Sequence, residues 1–153
     1  MRRPGSWLRA LTGTAALVAA MACGNPRLVV VVTIPEGTDR SRLTIALSIY
    51  ESEAARTIDC GTIASGATAL AELREHRIFS KVLLSPQDGV SDIRDGVAPV
   101  PCAGTKILHA LGAFDAAAGT EIEPHRAALV GCEMVGEIDE DVQVIVATRV
   151  TGN

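Results

Sequence analysis

The chain has 153 residues and a formal net charge of −4, which suits one domain and leaves no room for two of ordinary size. Acidic balance argues against nucleic acid as a partner, because phosphate binding needs clustered Lys and Arg. Aromatic residues make up 3% of the chain, and Trp7 stands near the N-terminus, leaving Tyr50, Phe79 and Phe114. Stacking platforms for sugars or single-stranded nucleic acid are therefore not expected.

Residues 1–22 read as an export signal. Arg2, Arg3 and Arg9 give a basic start, and Leu11 to Ala22 is apolar or small apart from Thr12 and Thr14. Ala20-Met21-Ala22 closes the segment with a small-x-small cleavage pattern. The apolar stretch is shorter than the roughly 20 residues a spanning helix needs. Three arginines and no acid leave with the signal, so the remainder is more acidic than the whole chain.

Cys23 follows the cleavage pattern directly, and Ala20-Met21-Ala22-Cys23-Gly24 resembles the lipobox of bacterial lipoproteins. The resemblance implies a thioether-linked diacylglycerol and an amide-linked acyl chain on Cys23. The lipid bilayer would then be a partner, and other envelope proteins could be further partners. Stable anchoring takes more than one chain, at about 0.8 kcal/mol per buried methylene. Gly24 stands where an aspartate often retains lipoproteins in the inner membrane, so the outer membrane is the expected address. A soluble periplasmic or secreted domain is the alternative. Residues 23–27 would form a tether reaching only about 15 Å at roughly 3.5 Å per residue, before a domain over 28–153.

Leu28 to Ile34 is a continuous β-branched run, the pattern of a strand covered on both faces. Pro35-Glu36-Gly37 ends it as a turn. Leu43, Ile45, Leu47 and Ile49 alternate with Thr44, Ala46, Ser48 and Tyr50, which predicts a half-buried strand. Arg56 to Cys60 reads as a third strand stopped by Gly61, and 67–77 as a short helix rich in Ala, Glu, Leu and Arg. Phe79 to Leu84 is a further strand. Gln87 to Gly104, with its Gly, Pro and Asp, is loop-like, and a loop so long is either mobile or conceals a short strand. Lys106 to Phe114 and Arg126 to Cys132 read as strands, and Asp141 to Val150 closes the chain with alternating valines. About seven short strands with turns between them predict an all-β fold, an antiparallel immunoglobulin-like β-sandwich with at most one short helix.

From Pro101 onward, Gly104-Thr105-Lys106-Ile107-Leu108-His109-Ala110, a Phe-Asp turn with Gly119, then Gly131-Cys132-Glu133 and a closing valine strand follow in order. That order is similar to small uncharacterised lipoproteins of myxobacteria-like bacteria. The resemblance implies an envelope protein with a β-sandwich and carries no activity.

With Cys23 acylated, Cys60, Cys102 and Cys132 remain, and three pairings are open. Cys60–Cys132 is the favoured one, since both sit in or beside strands that a sandwich could bring together. Cys102 would then be an odd thiol. If Cys23 is not acylated, four cysteines could make two bridges. No C-x-x-C occurs, and no histidine has metal-ligand spacing to two cysteines.

No catalytic residue, metal site or cofactor is expected. His109 lies on a strand and is expected on its polar or edge face. A Cys102–His109 nucleophile pair lacks an orienting third residue and an oxyanion motif. Asp88, Asp92 and Asp95, and the turn from Glu137 to Asp141, offer oxygen atoms without the calcium-loop spacing. The expectation is a non-catalytic, lipid-anchored binding or structural module of the cell envelope. The alternatives are a secreted hydrolytic enzyme with an unrecognised site and a calcium-stabilised adhesion-like domain.

Overall fold

The computed structural model describes residues 26–52, 58–84, 92–97, 100–117 and 119–152, residues 84 and 92–97 by their backbone alone. Among them run eight strands: β1 (Leu28–Thr33), β2 (Leu43–Ser52), β3 (Arg77–Leu84), β4 (Asp92–Val97), β5 (Thr105–Phe114), β6 (Leu129–Val135), β7 (Val142–Ala147) and β8 (Arg149–Val150). Two short helices, α1 (Cys60–Ala64) and α2 (Leu70–Glu75), lie between β2 and β3. The chain is mostly β, as its alternating and β-branched patterns predict.

The strands form a three-stranded sheet, β4-β1-β7, and a five-stranded sheet, β3-β2-β5-β6-β8. All neighbours in the larger sheet are antiparallel. In the smaller sheet β1 pairs antiparallel with β4 but parallel with β7, Leu28 lying opposite both Val97 and Val142. The expected wholly antiparallel arrangement is thus corrected for one pair. Parallel neighbours need a long crossover, and here β2, β3, β5 and β6, four of the five strands of the larger sheet, are built between β1 and β7.

Leu28, Val30 and Val32 of β1 and Val144 and Val146 of β7 meet Ile45, Leu47 and Ile49 of β2, Leu108 and Ala110 of β5 and Leu129 of β6 in one buried cluster. The period-two pattern of β2 therefore aims its aliphatic phase at the space between the sheets. The last strand crosses from one sheet to the other at Thr148. Its N–H and hydroxyl both donate to the carbonyl of Thr33, and two residues later Val150 pairs with Leu129. At that corner β6 runs close against β7: a Cβ on Gly131 would meet the Ala147 carbonyl oxygen at 2.8 Å.

The outer face of the larger sheet is covered as well. Ile63 of α1 and Leu73 of α2 pack with Tyr50, Ile58 and Ile107, and Leu111 packs with Ile122 and Ala127. β5 is consequently buried on both faces, which is why Ile107 to Leu111 reads as an almost unbroken apolar run.

Several expectations change. Residues 56 and 57 lie outside the described residues, but Cys60 opens α1 rather than ending a strand. Asp59 caps that helix, accepting from the Thr62 N–H at 2.7 Å while its own N–H donates to Thr62 Oγ1 at 3.0 Å. This reciprocal cap holds a five-residue helix that propensity alone would not sustain. The Gln87–Gly104 stretch conceals β4, whose place is set by pairing with β1. The strand expected from Arg126 starts at Leu129, because Pro124 to Arg126 form a 3-10 turn.

Candidate functional site

Cys23 lies outside the described residues. Cys60 and Cys132 are joined, with sulfurs 2.05 Å apart and Cα atoms 5.7 Å apart. The bridge pins α1 to β6, so it fastens the helical cover to the sheet rather than one sheet to the other. Cys102 is disulfide-bonded too, and no described cysteine is free. This corrects the odd thiol expected there and removes the thiolate that a Cys102–His109 nucleophile would need.

His109 is 1% exposed, which overturns its placement on a polar or edge face. It belongs to the outer phase of β5, but α1, α2 and Tyr50 cover that phase. Its ring centroid is 6.4 Å from that of Tyr50, and its Nδ1 is buried without a hydrogen-bond partner among the described residues. Burial pushes its pKa down to about 4, so the imidazole is neutral at neutral pH.

Asp88 lies outside the described residues, and Asp92 and Asp95 fall on β4 rather than in a loop. In the acidic turn, Asp141 accepts from the backbone N–H of Arg27 at 2.7 Å, which ties the turn to the start of β1. No group of three His, Cys, Asp or Glu among the described residues is placed to hold a metal. His125 is exposed, with its Nε2 3.3 Å from Glu123.

Lys106 carried no expectation from its sequence and is fully buried. Its Nζ donates to the carbonyls of Cys102, Ala103 and Gly104 at 2.8, 2.7 and 2.8 Å. All three ammonium hydrogens are thereby used on backbone oxygens. Burial lowers its pKa, against the pull of Glu51 and Glu137. This lysine closes a turn; it has no donor left for a substrate.

Polar side chains line a wide, open cleft of about 860 Å³ at Glu36, Thr38, Asp39, His125 and Arg126, and a smaller one on the outer face of β2 and β3. A cleft of about 240 Å³ sits between these strands and the 119–124 segment. Ser48 stands opposite Ser80 on one side and His109 on the other. The Ser48 and Ser80 hydroxyls are 3.4 Å apart, and the hydroxyl pKa of nearby Tyr50 is raised chiefly by burial. Val82, Leu111 and Ile122 supply apolar walls. At the mouth, Glu121 accepts from Nε and NH2 of Arg74 through Oε2 and from NH1 of Arg77 at 3.1 Å through Oε1. The guanidiniums hold the Glu121 carboxyl below its ordinary range, the hydrogen bond from Arg74 contributing most. The signal available in the sequence was the second phase of β2, in which Ser48 and Tyr50 follow Ala46. That phase reads as solvent-facing until the covering helices are in place.

No family model, curated protein or solved structure matches this chain.

Proposed function

We propose that this chain is a non-catalytic module of the bacterial cell envelope, exported by residues 1–22. The observation that supports it is the Cys60–Cys132 bridge, since disulfides form and persist outside the reducing cytosol. The apolar core shared by the two sheets supports the immunoglobulin-like sandwich as the fold of that module. No helix among the described residues is long and apolar enough to cross a membrane. Attachment in this reading comes from lipid on Cys23, with the bilayer and neighbouring envelope proteins as partners.

A second disposition has its own support in the disulfide at Cys102. A sulfur carries a thioether-linked lipid or a disulfide, never both. The sequence holds four cysteines, so two bridges within one chain would leave no thiol for acylation. The domain would then be soluble in the periplasm or outside the cell.

Expression of the full chain in a bacterial host, with a clickable fatty acid, separates these dispositions. Label present in the wild type and lost in Cys23→Ala supports the anchor. An unlabelled processed chain whose intact mass shows two bridges supports the soluble form. Full-length chain with reduced thiols in the cytosol would end both.

A further inference from the structure

We propose that the cleft over β2 and β3 binds a small organic acid, its carboxylate held by Arg77 with the Ser48 and Ser80 hydroxyls, its apolar body against Val82 and Leu111. The inference is independent of the cell address, and its failure leaves the export reading untouched.

The charge at the mouth decides the sign of the ligand. Arg74 and Arg77 share one carboxylate, Glu121, and Arg74 also feels Glu123, so Arg77 is the less compensated of the two among the described residues. Arg74 uses two nitrogens on that carboxylate, whereas Arg77 touches it through NH1. A guanidinium has five N–H donors in a planar fork suited to a second carboxylate. The Arg77 side chain is 30% exposed, so it can turn toward the cleft without first being dug out of the core. An amine would instead meet two guanidiniums.

The floor matches the same group. Ser48 is 9% exposed and, with Ser80 and Tyr50, puts hydroxyl groups beside Ala46, Val82 and Leu111 on the cleft floor. Hydroxyls can donate to a carboxylate oxygen, and the Ser48–Ser80 contact at 3.4 Å is long enough to be exchanged for a better one. His109, the cross-strand neighbour of Ser48, has an Nδ1 without a hydrogen-bond partner among the described residues. The walls are apolar, so a hydrated inorganic anion would leave them wet. The cleft, about 240 Å³, falls below the usual range for drug-sized ligands, roughly 300–1,000 Å³. That limits the guest to a short aliphatic or single-ring acid.

The test uses the oxidised protein isolated from its expression host, isotopically labelled for amide NMR. Butyrate and benzoate are titrated beside butyramide, benzamide and butylamine. We expect saturable shifts from the acids, confined to β2, β3 and the 119–124 segment, with the neutral amides about tenfold weaker, the weight of one charge-assisted contact. Arg77→Met should weaken the acids about tenfold and Arg77→Lys less, with melting temperatures near wild type confirming that both variants fold. Ser48→Ala combined with Ser80→Ala should weaken them several-fold. No saturable shift from either acid, amides binding as tightly as acids, or acid binding unchanged in Arg77→Met would each overturn the proposal.

Discussion

His109 stands directly across from Cys132 on the β5–β6 ladder, so a buried imidazole lies beside the bridge that ties the helical cover to the sheet. Ile63, Leu73 and Tyr50 complete that layer. Its stability therefore depends on a covalent link and on a histidine that stays neutral.

Replacing both Cys60 and Cys132 with serine should cost about 4 kcal/mol by the chain-entropy argument, since the bridge spans a sequence separation of 72. Urea unfolding reads the loss. The two sheets keep their shared core in this variant, so hydrogen exchange should rise first in α1 and α2. Uniformly faster exchange over β1 and β7 as well would show that the bridge holds the sheets together rather than the cover.

Acid should weaken the fold through His109. Its pKa is lowered to about 4 in the folded chain, against about 6.5 when unfolded. Between those values the unfolded state binds more protons, so stability is full above pH 6.5 and falls as the pH drops toward 4. The span corresponds to about 3 kcal/mol. Urea midpoints at pH 7 and pH 4.5 should therefore differ more for wild type than for His109→Leu. Equal slopes in the two proteins would mean that the imidazole is reached by solvent.

Lys106→Met keeps the aliphatic stem but removes the ammonium from the carbonyls of Cys102, Ala103 and Gly104. The Cys102 oxygen keeps the N–H of Ile138 at 3.0 Å, while the other two lose their lysine donor. We expect a loss of about 3 kcal/mol, the scale of charge-assisted bonds withdrawn from a buried place. A urea midpoint unchanged from wild type would show that water replaces the ammonium without cost.

Gly131→Ala should be destabilising despite the small change. The added Cβ would meet the Ala147 oxygen at 2.8 Å and Val146 Cγ1 at 3.0 Å. The first of these is backbone, which cannot swing away, so β6 and β7 must separate. Overpacking of this kind costs about 1–3 kcal/mol, readable as a lower melting temperature. A variant as stable as wild type would show that the sheet-to-sheet corner is loose.

The two β-strands nearest the start of the described chain were legible because their signals are local. The β-branched run of β1 and the alternation of β2 need no knowledge of the rest of the molecule. The Cys60–Cys132 pairing is one of several that the sequence leaves open, and it joins a helix to a strand rather than two strands, since Cys60 begins α1. That helix had a local signal in Asp59 and Thr62, hidden by reading 56–60 as a strand. β4 was harder, because Asp-Ile-Arg-Asp-Gly-Val is not a strand by composition. It becomes one by completing the ladder of β1.

By itself, the order of residues determined a β-rich chain, its main turns, an aliphatic core phase and a set of cysteines suited to bridging. Tertiary structure alone decided that β1 pairs in parallel with β7, that His109 and Lys106 are buried, and that Ser48, Ser80 and Arg77 share one cleft. The division has one physical cause. Periodicity and propensity act over a few neighbouring residues, whereas burial and convergence depend on which distant segments pack over a face. The second phase of β2 is polar enough for water and small enough for a cover, and only the arrival of α1, α2 and the 119–124 segment determines which of the two it meets.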